Sequence, residues 1–150
     1  MATMSGGKKE LEVYLLNACK QLCEFATNEF YETVNYFLAQ YYREDWDSRQ
    51  YQRTEALLHS CFKTEVKKKG NGYYAEVYIN YEALDDYEAA TGYQVVSWAN
   101  TKGIHGGLDV SSFGADTAVW DDSIDSAINS GQLFKDCIEF LKGKGYKIIT

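Results

Sequence analysis

The sequence has no proline, no long apolar run and no surplus of basic residues. Its 15 lysines and arginines are outnumbered by 22 aspartates and glutamates, which gives a net charge of −7. General nucleic-acid binding draws most of its affinity from neutralised phosphates, so this charge disfavours that class of protein. No segment approaches the roughly 18 consecutive apolar residues that a membrane-spanning helix needs. We therefore expect no specific nucleic-acid binding and no membrane segment.

Cysteine occurs four times, and these residues do not form a recognisable site. The first nine residues lack the apolar stretch of a secretion signal, so we expect reduced thiols in a cytosolic protein rather than disulfides. Cys19 and Cys23 fall on one helical face, but no nearby histidine completes a zinc set. We predict no metal and no cofactor.

Apolar residues recur near the α-helical period between residues 8 and 41, at positions 11, 15, 18, 22, 26, 30, 34, 37 and 41. A straight helix of that length would run about 50 Å. A compact domain of this size has a radius of gyration of about 15 Å. The pattern therefore predicts either a break at the polar pair Thr27-Asn28, which we favour, or a helix end that projects and needs a partner.

The clearest local signal is a β-hairpin. Residues 73–81 alternate between two faces, and Gly70-Asn71-Gly72 separates them from residues 62–69. Period-two alternation beside a Gly-Asn-Gly turn is typical of a hairpin. The triple lysine before the turn is interpreted as a solvated end of that hairpin.

The remaining segments predict a mixture of short elements. We predict short helices at residues 53–60 and 82–90, a helical turn at 121–129, strands at 93–99 and 146–149, and an amphipathic helix at 133–142 that stops at Gly143 or Gly145. Four glycines indicate an extended loop over residues 100–118. The result is an α+β fold with a long, possibly bent N-terminal helix, a central antiparallel hairpin or meander and a C-terminal amphipathic helix. We expect one domain over residues 1–150, with residues 1–7 flexible.

The most enzyme-like residue is His105, which lies among the glycines of residues 103–107. Such a histidine can act as an exposed general base, with Asp109 or Asp116 as the orienting carboxylate. No nucleophile motif accompanies it, because the serines at 111 and 112 lie outside any Gly-x-Ser-x-Gly turn. We predict that the protein is not an enzyme.

The segment YYREDWDSRQYQRTEALLHS, residues 41–60, contains the pattern Tyr-x-Arg-Thr-x-x-Leu-x-x-Ser. Its residues are Tyr51, Arg53, Thr54, Leu57 and Ser60, and the hairpin follows at once. In this arrangement the chain resembles the small neck and tail-completion proteins, or head–tail joining proteins, of long-tailed bacteriophages. The Gly-x-His-Gly element at residues 103–106 and a closing helix with a lysine-rich end also look like that family.

The resemblance implies a virion protein that forms a ring of six or twelve subunits at the head–tail junction or tail end. Such a tail-completion or tail-terminator protein would join the portal or adaptor to the tail tube. It would be found in the virion neck or tail, and in the host cytoplasm during assembly. The residues expected at subunit or partner contacts are Trp46, Tyr51, Arg53, Thr54, Leu57 and His105. Interfaces are enriched in arginine and aromatic residues, yet Tyr51, Arg53 and Thr54 could equally brace the helix against the hairpin within one chain.

Three other hypotheses remain open. The first is a different phage assembly part, such as a head decoration protein or an assembly chaperone. The second is a phage-encoded inhibitor of a host protein, and the third is a small hydrolase that uses His105. Assembly predicts symmetric self-association, whereas a hydrolase predicts activity in the monomer that is lost in His105→Ala.

Overall fold

The computed structural model describes residues 7–43, 56–84, 90–105, 108–109 and 116–149. The predicted α+β class is confirmed. The helices are α1 (Lys8–Arg43), α2 (Gly92–Ala99), α3 (Val119–Ile124) and α4 (Gln132–Gly143). The strands are β1 (Cys61–Lys63), β2 (Lys67–Lys69), β3 (Gly72–Tyr74), β4 (Val77–Ile79), β5 (Ile104–His105) and β6 (Leu108–Asp109). They pair antiparallel as β1–β4, β2–β3 and β5–β6.

Helix α1 is continuous over 36 residues, which corresponds to about 54 Å at 1.5 Å per residue. The predicted break at Thr27-Asn28 is wrong. The Thr27 hydroxyl donates to the Cys23 carbonyl at 2.6 Å, a bond that a threonine inside a helix can make. The Asn28 side-chain oxygen accepts a hydrogen bond from Lys63 Nζ at 2.5 Å, so Asn28 connects α1 to β1. The other alternative, a projecting helix end, therefore applies.

The predicted hairpin is confirmed. Lys69 pairs with Gly72 across a two-residue turn, in which Gly70 has a φ of 61° that favours glycine. Two ladders make up the hairpin: β2–β3 next to the turn and β1–β4 farther from it. Between them, the three residues 64–66 lie opposite only the two residues 75–76, so one side of the hairpin has an extra residue. This extra residue is a β-bulge, which bends the strand and increases its twist. The Thr64 side chain stabilises it, since Thr64 Oγ1 accepts from the Glu76 N–H at 2.9 Å.

The middle of the chain departs from the predicted elements. Residues 56–59 form a turn, and residues 82–84 form one 3₁₀ turn. The rest of the helices predicted at 53–60 and 82–90 lies largely outside the described residues, at 53–55 and 85–89. Residues 93–99 belong to α2, so the predicted strand there is wrong. A capping box begins α2: Thr91 Oγ1 accepts from the Gln94 N–H, and Gln94 Oε1 accepts from the Thr91 N–H. Within the predicted loop 100–118, the described residues include the short β5–β6 pair.

The predicted helices near the C-terminus are confirmed. Helix α3 continues into a π-helical turn over Asp125–Asn129, in which the Ser130 N–H donates to the Asp125 carbonyl. Helix α4 ends in a Schellman motif, where the Gly145 N–H donates to Lys142 O and the Tyr146 N–H to Leu141 O. Gly145 takes a φ of 90° there. Residues 146–149 do not form the predicted strand.

The core lies against the C-terminal half of α1. Its buried residues are Val34, Leu38, Tyr41, Leu57, Cys61, Leu84, Ala99 and Val119. Helix α4 packs on the other half of α1, where the Phe25 and Phe140 rings stack with centroids 4.4 Å apart. Farther toward the N-terminus, the Tyr14 and Tyr146 rings lie 5.2 Å apart. The Schellman turn after α4 thus brings Tyr146 back onto α1.

Candidate assembly surface

Most of the residues predicted at contacts lie outside the described part of the chain. These are Trp46, Tyr51, Arg53 and Thr54. His105 is in β5, where its backbone pairs with Leu108. Leu57 is buried, with 5% of its surface exposed, and it belongs to the core beside α1. Leu57 therefore packs within its own chain.

Leu57 and Ser60, the last two positions of the Tyr-x-Arg-Thr-x-x-Leu-x-x-Ser pattern, form a single turn. The Ser60 N–H and hydroxyl both donate to the Leu57 carbonyl, at 3.1 and 2.6 Å. The Ser60 carbonyl in turn accepts from the Asn80 N–H at 2.8 Å. This network fixes where the chain enters β1, so it sets the position of the hairpin on α1.

Two of the thiols are poorly suited to nucleophilic chemistry. Burial, together with the nearby Glu32 carboxylate, raises the pKa of Cys61 to about 11. Burial also raises the pKa of Cys137, with further contributions from Asp136 and Glu29. Because the thiolate is the reactive form, both groups are protonated and unreactive near neutral pH. Among the described residues, no group of histidines, cysteines and carboxylates is placed to hold a metal, and no helix could cross a membrane.

The N-terminal part of α1 is uncovered. Every residue from Lys8 to Leu15 is exposed, and we call this segment the arm. Leu11 and Leu15, which belong to the same apolar stripe as Val34, are 44% and 52% exposed. Tyr14 contacts Tyr146 but also keeps half of its surface exposed. The apolar stripe of α1 therefore continues well beyond the elements that cover it.

A second exposed apolar surface lies on the outer face of the hairpin. It consists of Phe62, Tyr74 and Tyr78, and we call it the aromatic strip. Phe62 and Tyr78 are paired across β1 and β4, and their rings stack with centroids 6.0 Å apart. Residues 61–80 hold four lysines and two glutamates, a net charge of +2. Since the whole chain carries −7, the other residues together carry −9, so the hairpin is a basic feature on an acidic chain.

An apolar groove of about 310 Å³ lies between β4, α2 and α3. It is lined by Val77, Tyr78, Ile79, Val96, Ala99, Asn100, Val119 and Trp120. Asn100 Oδ1 is already occupied, because it accepts from the N–H groups of Trp120 and Asp121 at 2.8 and 3.2 Å. The groove therefore offers apolar contact, which suits a hydrophobic side chain better than a polar ligand.

The groove and the aromatic strip share Tyr78, so they form one continuous surface. The sequence contained a signal for the strip, since residues 74, 76 and 78 alternate with the inward-facing residues of the same strand. It contained no signal for the groove. That surface arises from α2, which the sequence pattern predicted as a strand, and from α3, which lies some 20 residues farther along the chain.

Comparison with known proteins identifies a family. A family model described as YomN matches residues 8–143, which contain every helix and strand of the described residues. The chain therefore belongs to the YomN family, a phage-associated family of the Bacillus phage type. No curated protein and no solved structure matches the chain.

Proposed function

We propose that this YomN-family protein is a structural component of a tailed-phage virion. In this proposal it forms a ring at the head–tail junction or at the tail end, and it joins the connector to the tail tube. The family match supports a phage-associated protein. The segment at residues 41–60, with its resemblance to neck and tail-completion proteins, supports the finer assignment.

The observation that carries the proposal is the amount of large apolar side chain left on the surface. The exposed members on the arm and the aromatic strip are Leu11, Val13, Tyr14, Leu15, Phe62, Tyr74 and Tyr78. Contiguous exposed apolar surface marks interaction sites in proteins that are otherwise soluble. Tyrosine suits such sites, because it offers apolar area and a polar tip, and the chain has 13 tyrosines. A ring subunit would bury these surfaces on assembly.

The proposal includes no catalytic role. The raised pKa values of Cys61 and Cys137 favour unreactive thiols. The net charge of −7 fits a ring whose lumen repels DNA and lets it slide through. Portal or adaptor proteins and tail-tube proteins are the expected partners, and the virion neck or tail is the expected location.

The first experiment measures the mass of the purified protein over a range of concentrations, alone and with portal-adaptor or tail-tube proteins. We expect a closed ring, either at high concentration or when the partner is added. A protein that stays monomeric with every virion partner would contradict the proposal. The variant His105→Ala is the check on the hydrolase hypothesis. A change in assembly alone would eliminate that hypothesis, whereas the loss of a hydrolytic activity of the monomer would support it.

A second experiment places the ring in the virion. A phage carrying a stop codon in this reading frame should produce filled heads separated from tails if the ring is at the junction. It should produce tails of abnormal length if the ring is at the tail end. Intact, infectious particles that lack the protein would favour a decoration protein instead.

A further inference from the structure

Building on the proposed ring, we infer that the arm of one subunit, Lys8–Leu15, binds in the groove between β4, α2 and α3 of the next subunit. This contact would be a helix-in-groove interaction, with Leu11 and Leu15 as the apolar anchors. The partner is thus a second copy of this chain. The inference rests on three observations of the described residues: matching apolar surfaces, rigid separation of the two surfaces and a basic start of the arm that suits the aspartates of α3.

The two surfaces match in character. The arm presents exposed aliphatic side chains at positions 11 and 15, which are four residues apart and share one helical face. The groove is lined almost entirely by apolar side chains, and the side-chain oxygen of Asn100 is used by the backbone of α3. Its volume of about 310 Å³ is at the small end for ligand sites. That size suits a pair of aliphatic side chains.

The arm cannot reach the groove of its own chain. Trp120, in the groove wall, packs edge-on against Phe30 of α1 with ring centroids 5.7 Å apart. Leu11 lies 19 residues before Phe30 on the same continuous helix, which places it roughly 28 Å away along the axis. A rigid helix holds that distance, so an arm that fills a groove must come from another molecule.

Charge favours one orientation of this contact. Lys8 and Lys9 begin the arm, where α1 adds the partial positive charge of its N-terminus, and Glu10 and Glu12 follow. The arm therefore has no net charge but has a basic start. Residues 116–131, which include α3 beside the groove, contain four aspartates and no lysine or arginine. Asp121 follows Trp120 directly and is exposed. The start of the arm would therefore lie toward α3, and its following turn would lie toward Tyr78 on β4.

The geometry of such a contact leads to a ring. Arm and groove are two different surfaces, so each subunit uses one surface toward each neighbour. A heterologous contact of this kind closes into a ring when the rotation between subunits allows it. An arm-to-groove contact therefore agrees with a neck or tail-end ring. It also predicts that every arm in the ring points the same way around it.

The test uses variants that disable one surface at a time. The arm variant Leu11→Asp/Leu15→Asp changes two exposed residues, and the groove variant Tyr78→Glu changes a residue that is 43% exposed. Each should be folded by circular dichroism and should need at least tenfold more protein to reach half assembly. The control Tyr36→Asp adds one negative charge, as Tyr78→Glu does, on an exposed residue of α1 outside the arm and should assemble as wild type. Val96→Phe is a second groove variant, which fills the space without adding charge and should also weaken assembly.

Mixing the two defective variants gives the decisive measurement. One retains a working groove and the other a working arm, so the mixture should form 1:1 dimers that do not grow into rings. Mass measurement by light scattering or native mass spectrometry distinguishes these species. Absence of the dimer, or normal rings from the arm variant, would overturn the arm-to-groove contact while leaving the ring proposal intact. A wild-type protein that never self-associates, with or without virion partners, would overturn both.

Discussion

Gly92 has an identity that is tightly constrained by its surroundings. It begins α2, directly after the capping residue Thr91, and a Cβ atom built on it would lie 1.8 Å from the Tyr81 carbonyl oxygen. Backbone atoms cannot move aside cheaply, so Gly92→Ala must displace α2 from the 3₁₀ turn at residues 82–84. We expect a loss of about 2–3 kcal/mol in the free energy of unfolding, as in other overpacked sites. Urea denaturation measures this directly.

Gly143→Ala is the matched control for that substitution. Gly143 is the last residue of α4, and a Cβ atom there would meet nothing within 4 Å. Alanine restricts the unfolded chain and favours the helix, so this variant should be unchanged or more stable by up to about 1 kcal/mol. Equal effects of the two alanines would show that the close approach of Tyr81 to Gly92 is not a real constraint.

Cys61 links stability to alkaline pH. The pKa of its thiol rises from 9.0 to about 11 in the folded chain, chiefly because of burial and secondly because of Glu32. The folded state therefore favours the protonated thiol. The associated stability is fully present below pH 9 and is lost as pH rises toward 11.

We expect this loss to appear in the difference between wild type and Cys61→Ala. Between pH 8 and about pH 10.5, the stability advantage of wild type should shrink by about 2 kcal/mol. Taking the difference removes the effect of tyrosines and lysines that titrate in the same range in both proteins. A difference that stays constant across this range would mean that folding does not raise the pKa of the Cys61 thiol.

At the scale of elements, Asn100 connects the end of α2 to the start of α3. Ala118, the residue before α3, has no side chain that can cap a helix, and Asn100 Oδ1 accepts from the second and third N–H groups of α3 instead. Asn100→Ala should therefore cost about 0.5–2 kcal/mol in the free energy of unfolding, the usual range for a lost cap. It should also loosen the groove wall at Trp120, which tryptophan fluorescence can follow.

Asn129→Ala provides the comparison for Asn100→Ala. Asn129 is exposed, and its amide bonds to Asp125 within one turn of the same helical segment. Such local pairs contribute a few tenths of a kcal/mol. If Asn129→Ala destabilised the protein as much as Asn100→Ala, the special capping role of Asn100 would be refuted.

The elements that could be predicted from sequence are those specified by local pattern. The hairpin is encoded by alternation at residues 73–81 and by a glycine that can take positive φ at position 70. Residues 93–99 were predicted wrongly because Val95 and Val96 favour strands, whereas the Thr91/Gln94 capping box starts a helix. That box was visible in the sequence as Thr-x-x-Gln. The break predicted at Thr27-Asn28 failed because Thr27 bonds within the helix to the Cys23 carbonyl and Asn28 bonds to Lys63 of β1.

At the scale of the whole molecule, the candidate surface was harder to predict than the fold. Leu11 and Val34 belong to one apolar stripe, and periodicity cannot tell which of them is covered. Which residues of α1 are covered depends on where α4 and the hairpin end along it. That is decided by the tertiary packing and not by the local sequence. The groove likewise requires β4, α2 and α3 to meet, and these come from distant parts of the chain. The contact residues predicted from the family resemblance, such as Tyr51 and Arg53, remain predictions.

The continuity of α1 is the property on which the proposed assembly depends most. Thr27→Pro removes one backbone hydrogen bond and clashes with the preceding turn, which kinks or breaks a helix at a cost of about 3 kcal/mol. A kinked α1 would point the arm in a different direction relative to the groove of the next subunit. We expect this variant to lose closed rings, and light scattering should detect monomers or irregular oligomers at concentrations where wild type assembles.

The matched control is Thr27→Ala, which keeps the helix and removes only the hydroxyl bond to Cys23. It should form rings of the same mass as wild type, because the direction of the arm is unchanged. Circular dichroism and thermal unfolding identify the temperature range in which Thr27→Pro is still folded, and assembly is compared within that range. Rings of wild-type mass from folded Thr27→Pro would show that a straight α1 is not needed. The arm-to-groove contact would then have to be abandoned, because it depends on a rigid helix that carries each arm away from its own groove and into that of its neighbour.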